Sequence, residues 1–248
     1  MARMLSVIAG LAVTLAAGPS TAGRAAEVRY DGAMLAPGLV ADRTHHARHA
    51  GVVTANGGQV VSLSEGGERF LRFPPGSCPA PPCPQAVVQP AASQALTPLE
   101  GTGRFSFGAA VRLTSAPPSG AGMNVWQYGL AGPGHGQWKL QVDDGYASCR
   151  WSDGTAVVLL PARAYRLAVG RWHLVRCARL SRTLFEIRVL DRATRALIVP
   201  PVHTVAPMGR IRPHGLPTIG GKRVRPDQTD AQTDQFRGDL DDVHFRRE

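Results

Sequence analysis

Residues 105–113 read FSFGAAVRL, and this stretch decides the fold class. Its residues at 105, 107, 109, 111 and 113 are apolar, and they alternate with small or polar residues at 106, 108, 110 and 112. An alternation with period two is typical of a β-strand that has one face on the core. No segment of the chain shows a long apolar face with the 3.6-residue period of a helix, so we predict an all-β protein.

Similar short runs occur on both sides of this stretch. They are separated by turn sequences, and glycine (28) and proline (20) are both frequent, which favours many short strands. The clearest runs cover residues 59–63, 69–73, 138–142, 147–151, 156–160, 172–180, 184–190 and 239–245. The first two flank the turn Glu65-Gly66-Gly67-Glu68 and predict a hairpin. About a dozen short strands predict an antiparallel β-sandwich of two sheets.

A proline-rich segment interrupts this pattern at residues 74–98, which hold eight prolines. Proline has no backbone N–H to donate, so we expect the segment to be mostly loop. A domain boundary there is the alternative. Because residues 27–73 are too few to bury a core of their own, we predict one domain over residues 27–248.

The first 26 residues have the pattern of a secretory signal peptide. Arg3 supplies the positive charge, residues 5–17 are apolar, and small residues suited to cleavage follow. The apolar run is too short to span a bilayer as a helix, which argues against a membrane anchor. We therefore predict a secreted protein without a membrane span.

Four cysteines occur, an even number that favours disulfides in an exported chain. We pair Cys78 with Cys83 around a short proline-rich loop, and Cys149 with Cys177 between two predicted strands. A zinc site is the alternative, but no Cys-x-x-Cys spacing is present.

The formal net charge of +10 raises the question of nucleic acid. Only Lys139 and Lys222 are lysines, so 26 of the 28 basic residues are arginines, and they are scattered along the chain. We predict no specific nucleic-acid binding. A general attraction to anionic polymers remains open.

Five short strings, in order, resemble the laminin G-like, concanavalin A-like family of secreted bacterial proteins. They are FSF at 105–107, GQWKLQV at 136–142, GRWHLVRC at 170–177, IGGK at 219–222 and FRGDLDDV at 236–243. The resemblance covers about residues 100–248. It implies a jelly roll of two antiparallel sheets whose first strand lies beside the C-terminal one. It also implies an adhesion or carbohydrate-binding role, with calcium in some members.

Catalytic residues are not predicted. Glucanases of this scaffold carry paired carboxylates as Glu-x-Asp-x-Glu on one strand, and that string is absent. Asp143, Asp144 and Asp153 lie in turn sequences that explain them, and Glu186 is a single acid on a polar strand face.

Asp241 is the acid that most needs a partner. It alternates with Val243 and Phe245, which places its side chain on the core side, where a carboxylate requires a cation, an arginine or several N–H donors. Calcium is one candidate, because the resemblance places an acid near this point and calcium binds oxygen ligands. Three nearby acids would add ligands: Asp227, Asp230 and Asp234. An arginine or backbone N–H groups are the alternative.

Asn124, Trp126 and Tyr128 share one face of a predicted strand and are the candidate ligand-binding residues. Aromatic faces stack on pyranose rings, and an amide beside them would bind hydroxyls. Packing in the core is the alternative for the aromatic residues. Trp172 is assigned to the core.

These features favour a non-catalytic binding module for a carbohydrate or an extracellular protein. A polysaccharide-cleaving enzyme and a structural envelope protein are the alternatives. Aromatic and amide side chains on an exposed face would support the first hypothesis, and a carboxylate pair in a groove would support the second.

Overall fold

The computed structural model describes residues 26–74, 78, 80–98, 103–117, 120, 122–229 and 234–248. They form 16 β-strands and a 3-10 helix at Gln94–Leu96, which confirms the prediction of an all-β chain. Most of the predicted export signal lies outside the described residues. Within them, no helix is long and apolar enough to cross a membrane.

The strands follow each other along the chain with these bounds: β1 Val28–Ala36, β2 Leu39–Asp42, β3 Ala50–Ala55, β4 Val61–Glu65, β5 Glu68–Arg72, β6 Gln85–Pro90, β7 Phe105–Leu113, β8 Gly122–Tyr128, β9 Gly136–Asp143, β10 Tyr146–Asp153, β11 Val157–Arg166, β12 His173–Arg179, β13 Leu184–Asp191, β14 Val202–Val205, β15 Thr218–Ile219 and β16 Gly238–Arg247.

These strands form one continuous path of antiparallel pairs, in the order β11-β10-β9-β8-β15-β6-β3-β2-β1-β16-β7-β12-β13-β14. Strands β4 and β5 are outside this path: β4 pairs with β5, and β5 pairs with β16. At the two ends of the path, β11 lies against β13 and β14, so that the sheet nearly closes into a barrel. A division into two separate sheets is not confirmed.

Two pairings that the sequence predicted are present. Val28 on β1 lies opposite Phe245 on β16, so the first strand is beside the last. Strands β4 and β5 form the predicted hairpin, with Glu65 opposite Glu68.

The expectation of a loop over residues 74–98 is wrong for β6. Its residues Gln85–Pro90 are almost entirely buried and pair with β3 and with β15. The physical reason lies in the spacing of the prolines. Pro84 precedes the strand and Pro90 ends it, so the four residues between Gln85 and Pro90 keep their N–H donors for the ladder.

The core is aromatic where β9 faces β7 and β16. The ring centroids of Trp138 and Phe107 are 4.8 Å apart, and those of Trp138 and Phe245 are 5.2 Å apart. Trp126 and Trp151 are likewise fully buried. Both predicted disulfides are present, Cys78–Cys83 and Cys149–Cys177.

Candidate functional site

Strands β8, β9 and β10 have a polar face on the side opposite the core. Their apolar side chains enter the core cluster, so the residues between them point outward. We call this surface the polar face, and it consists of Asn124, Gln127, Gln137, Lys139, Gln141, Ser148, Arg150 and Ser152. Lys139 and Arg150 are half-buried, while the other members are buried although they are polar.

One row across the polar face is made of amides and a hydroxyl. Asn124 lies opposite Gln141, and Gln141 lies opposite Ser148. The Asn124 amide donates to Gln127 Oε1 at 2.9 Å, and the Gln141 amide donates to the Asp143 carboxylate. Asn124 Oδ1, Gln141 Oε1 and Ser148 Oγ are buried and have no hydrogen-bond partner among the described residues. A buried polar atom without a partner costs about 1–3 kcal/mol, so this row is unfavourable for the free protein.

The neighbouring row brings two positive charges together. Lys139 lies directly opposite Arg150, and like charges in that position are destabilising. Within the part of the chain that is described, neither side chain has an ion pair, and Arg150 Nε is buried without an acceptor. Among the described residues, the acids near these cations are at the rim, where Asp234 lies 3.8 Å from Lys222 and Asp143 accepts from the amide row.

Burial lowers the pKa of Lys139, because a partly dehydrated ammonium is less stable than a neutral amine. Asp234 and Asp143 oppose this effect, while Arg150 and Lys222 add to it. The electrostatic surroundings of Lys139 are therefore unfavourable for its own charge.

The predicted ligand-binding residues are divided between two faces. Asn124 is on the polar face, but Trp126 is fully buried against Trp138, with ring centroids 4.9 Å apart. A shift of register between Asn124 and Trp126 breaks the alternation on which their common face was predicted. Tyr128 is mostly buried, at the wall of a cavity of about 350 Å³ that Arg212 and His214 also line. Ligand binding by these three residues stays a prediction.

A second candidate site surrounds Trp172, which the sequence analysis assigned to the core. The structure shows that Trp172 is only half-buried, in a cleft of about 480 Å³ that we call the arginine cleft. The guanidinium groups of Arg112 and Arg192 lie 4.7 and 4.5 Å from the centroid of its ring. Phe70 meets the same ring edge-on at 5.5 Å. The assignment of Trp172 to the core is therefore wrong, and its ring is instead in contact with two cations.

The charges of the arginine cleft are already compensated by carboxylates. Asp239 is fully buried and accepts from Arg72 Nε at 2.7 Å and from Arg112 Nε at 2.8 Å. Asp241 is bound by Arg192, and Asp242 forms an ion pair with Arg29 at 2.7 Å. Sequence reasoning missed Asp239, because its two arginine partners are on β5 and β7 and only the strand pairing brings them beside it. A ligand of this cleft would compete with existing ion pairs, unlike a ligand of the polar face.

Asp241 does not point to the core side, which corrects the prediction from its alternation with Val243 and Phe245. A β-bulge falls between Asp241 and His244, with Asp242 at a φ of 47°, and it places one extra residue in the strand. Leu240 therefore occupies the core position before the bulge. Asp241 is still buried, and this burial raises its pKa to about 6 in spite of Arg192.

A calcium site at the predicted acids stays a prediction. Asp227 is exposed, Asp234 is near Lys222, and Asp230 lies outside the described residues. Asp241 has Arg192 as its partner, which is the alternative that the sequence left open. Among the described residues, no three His, Cys, Asp or Glu side chains are grouped as metal ligands.

The acids that the sequence analysis considered for catalysis are held by structural contacts. Glu186 binds Arg188 Nε at 2.7 Å and His203 Nε2 at 2.9 Å, and these contacts lower its pKa against the effect of burial. Asp153 accepts from the N–H groups of Thr155 and Ala156 in its own turn. Both acids therefore have partners within the protein.

Comparison with known proteins gives a likeness of fold only. No protein-family model matches the chain, and no curated protein matches its sequence. The binding domain of botulinum neurotoxin serotype G is similar, with a TM-score of 0.59 and 11% identity over 90% of this chain and 48% of that one. The chain thus spans about half the length of the neurotoxin binding domain that it matches.

Two further solved structures extend the comparison. A protein of unknown function from Shewanella oneidensis MR-1 has a TM-score of 0.52 and 14% identity over 88% of this chain and 84% of that one. The LG1-3 region of the laminin α2 chain covers 64% of this chain and 29% of that one at 11% identity, and its TM-score of 0.46 is too low to support an argument. The similarities show an all-β fold shared with binding domains and leave the family of the chain open.

Proposed function

We propose that this chain is a non-catalytic binding module and that it binds a carbohydrate on the polar face. The observation that carries the proposal is the row of buried oxygens on Asn124, Gln141 and Ser148 that have no partner among the described residues. Carbonyl and hydroxyl oxygens accept hydrogen bonds, and a sugar presents several hydroxyl donors at once. Because these oxygens are buried, binding requires the groups that cover them to move aside, and the ligand would then satisfy groups that the free protein leaves unsatisfied at a cost in stability.

The fixed positions of these groups favour recognition. The amides donate within the protein, to Gln127 and Asp143, so their carbonyl oxygens are oriented before a ligand arrives. The sites are on paired strands, not on loops, so little conformational entropy is lost on binding. Strand β8 is the strand that the sequence nominated, but amides replace the aromatic platform that was expected there.

The neighbouring structures support the class of function. The botulinum neurotoxin structures are described as binding or receptor-binding domains, and an extracellular protein ligand is the second candidate. We further propose that the strands form a jelly roll and that the chain is exported. Two disulfides fit an oxidising compartment, in agreement with the signal-like sequence at residues 1–26.

The experiment compares two serine variants in a glycan array and in a denaturation series. Ser148→Ala removes a hydroxyl of the amide row, and Ser64→Ala removes an exposed hydroxyl on the β4–β5 hairpin. We expect Ser148→Ala to weaken glycan binding about tenfold, while Ser64→Ala leaves it unchanged. Because the Ser148 hydroxyl has no partner, its removal is expected to leave stability equal or higher.

This combination separates function from folding. Weaker binding together with lower stability would assign Ser148 to the structure of the sheet and contradict the proposal. Failure of the wild-type protein to bind any glycan, with and without calcium, would remove the carbohydrate assignment and leave a protein ligand as the candidate.

A further inference from the structure

Two unpaired cations in the middle of a polar sheet face need a physical explanation. Lys139 and Arg150 lie on adjacent strands with Cβ atoms about 4.5–5.5 Å apart, where their charges repel. Neither is fully solvated, since both side chains are half-buried. Several other half-buried arginines have carboxylate partners, as Arg112 has Asp239 and Arg192 has Asp241. Arg237 and Arg246 have no ion pair among the described residues, but neither lies opposite a second cation as Arg150 does.

The position of this cation row relative to the amide row is the second observation. Lys139 and Gln141 are two residues apart on β9, so their side chains leave the same face about 6.6–6.8 Å from each other. A ligand that spans both rows meets hydrogen-bond acceptors on one side and two adjacent cations on the other. The acids at the rim, Asp143 and Asp234, contact Gln141 and Lys222, and they act on the charge of Lys139 without forming an ion pair with it.

We propose that the ligand of the polar face is an acidic polysaccharide, whose carboxylate or sulfate group is bound between Lys139 and Arg150. The inference rests on the proposed function and names the chemical class of its ligand. The guanidinium group of Arg150 offers a planar set of donors that matches either oxyanion, and the ammonium of Lys139 adds a point charge. The hydroxyls of the same sugar chain would meet the amide row once the groups that bury it have moved aside. A neutral polysaccharide would leave the two charges unpaired.

The composition of the chain provides a direct probe of the site. Lys139 and Lys222 are its only lysines, so reductive methylation modifies two side-chain amines that peptide mass spectrometry distinguishes. We expect either polygalacturonate or dextran sulfate to protect Lys139 from methylation, whereas a neutral β-glucan at the same mass concentration does not.

Affinity measurements on the purified full chain test the charge requirement. Polygalacturonate supplies carboxylates, dextran sulfate supplies sulfate esters, a neutral β-glucan supplies neither, and a single-stranded oligonucleotide supplies phosphates. We expect one of the two acidic polysaccharides to bind more tightly than the others, and its binding to weaken as salt increases. The variants Lys139→Gln and Arg150→Gln are each expected to bind it about tenfold more weakly. Arg69→Gln removes one exposed charge from the β4–β5 hairpin and is expected to change affinity less than about twofold.

The outcomes distinguish this inference from the function on which it rests. Tight binding of the neutral β-glucan that neither variant affects would overturn the inference and leave the carbohydrate function standing. Equal binding of the oligonucleotide would show attraction to any polyanion and would also overturn it. If the wild-type protein binds no polysaccharide of any charge, the proposed function itself is wrong.

Discussion

Cys149 and Cys177 are joined across the core, with Cα atoms 5.8 Å apart, although their strands are not hydrogen-bonded neighbours. Cys149 is on β10, near one end of the strand path, and Cys177 is on β12, near the other. The disulfide therefore links the two parts of the sheet that the backbone ladder leaves furthest apart. It passes beside the aromatic core that these parts enclose.

Removal of this disulfide is expected to destabilise the protein more than removal of the other one. On the chain-entropy model, a disulfide that closes a loop of 28 residues stabilises the folded state by about 3–4 kcal/mol. The disulfide between Cys78 and Cys83 closes a loop of 5 residues, and its stabilisation is about 2 kcal/mol. The measurement is denaturant unfolding of the double variants Cys149→Ala/Cys177→Ala and Cys78→Ala/Cys83→Ala. A larger loss for the shorter loop would contradict the role assigned to the longer one.

Asp239→Asn is expected to cost about 3–5 kcal/mol of unfolding free energy, because it leaves Arg72 and Arg112 without their buried carboxylate. Asparagine has nearly the same shape as aspartate, so the decrease in unfolding free energy measures the contribution of the negative charge. Asp227→Asn, at an exposed position, is the control and is expected to change stability by less than about 0.5 kcal/mol. Similar unfolding curves for the two variants would show that the Asp239 network contributes little.

The free energy of unfolding is expected to depend on pH through the carboxyl group of Asp241. Because its folded pKa is raised to about 6 from 3.8, the folded state takes up the proton more readily than the unfolded state. The resulting stabilisation is fully present below about pH 4 and is lost as the pH rises through about 6. Asp241→Asn imitates the protonated form. We expect it to be about 2–3 kcal/mol more stable than wild type at pH 7.5 and equal to wild type at pH 4.

Denaturant unfolding of the wild type and Asp241→Asn at both pH values provides the measurement. Since the other titrating groups are common to both proteins, the difference between them isolates this carboxyl. A variant less stable than wild type at pH 7.5 would mean that the ion pair with Arg192 outweighs burial.

Fluorescence quenching by acrylamide is expected to reach only one of the four tryptophans. Trp126, Trp138 and Trp151 are fully buried, while Trp172 is half-buried in the arginine cleft. Trp172→Phe should remove most of the quenchable emission, and the phenylalanine retains an aromatic ring between Arg112 and Arg192. Unchanged quenching in this variant would place another tryptophan at the surface.

The local sequence was sufficient for those features that depend on neighbours in the chain. Alternation over residues 105–113 predicted strand β7, and the Glu65–Glu68 turn predicted the hairpin between β4 and β5. The cysteine pairing and the position of β1 beside β16 were also correct, the latter from the family resemblance. The strand and the hairpin follow from patterns within one short segment, and the disulfides follow from an even number of cysteines in a chain with an export signal.

The candidate site could be predicted only in part, because strand faces depend on register. The irregularity between Asn124 and Trp126 and the bulge after Asp241 each shift the side chains that follow to the other face. The residue types alone do not predict either irregularity, because the pairing with the neighbouring strand determines where an extra residue is inserted. The sequence by itself determined an all-β chain with two disulfides, and it predicted β8 as a candidate binding strand. Only the tertiary structure decided which side of that strand is buried in the core and that Lys139 meets Arg150, because both depend on residues that are distant in sequence and are aligned by the ladder.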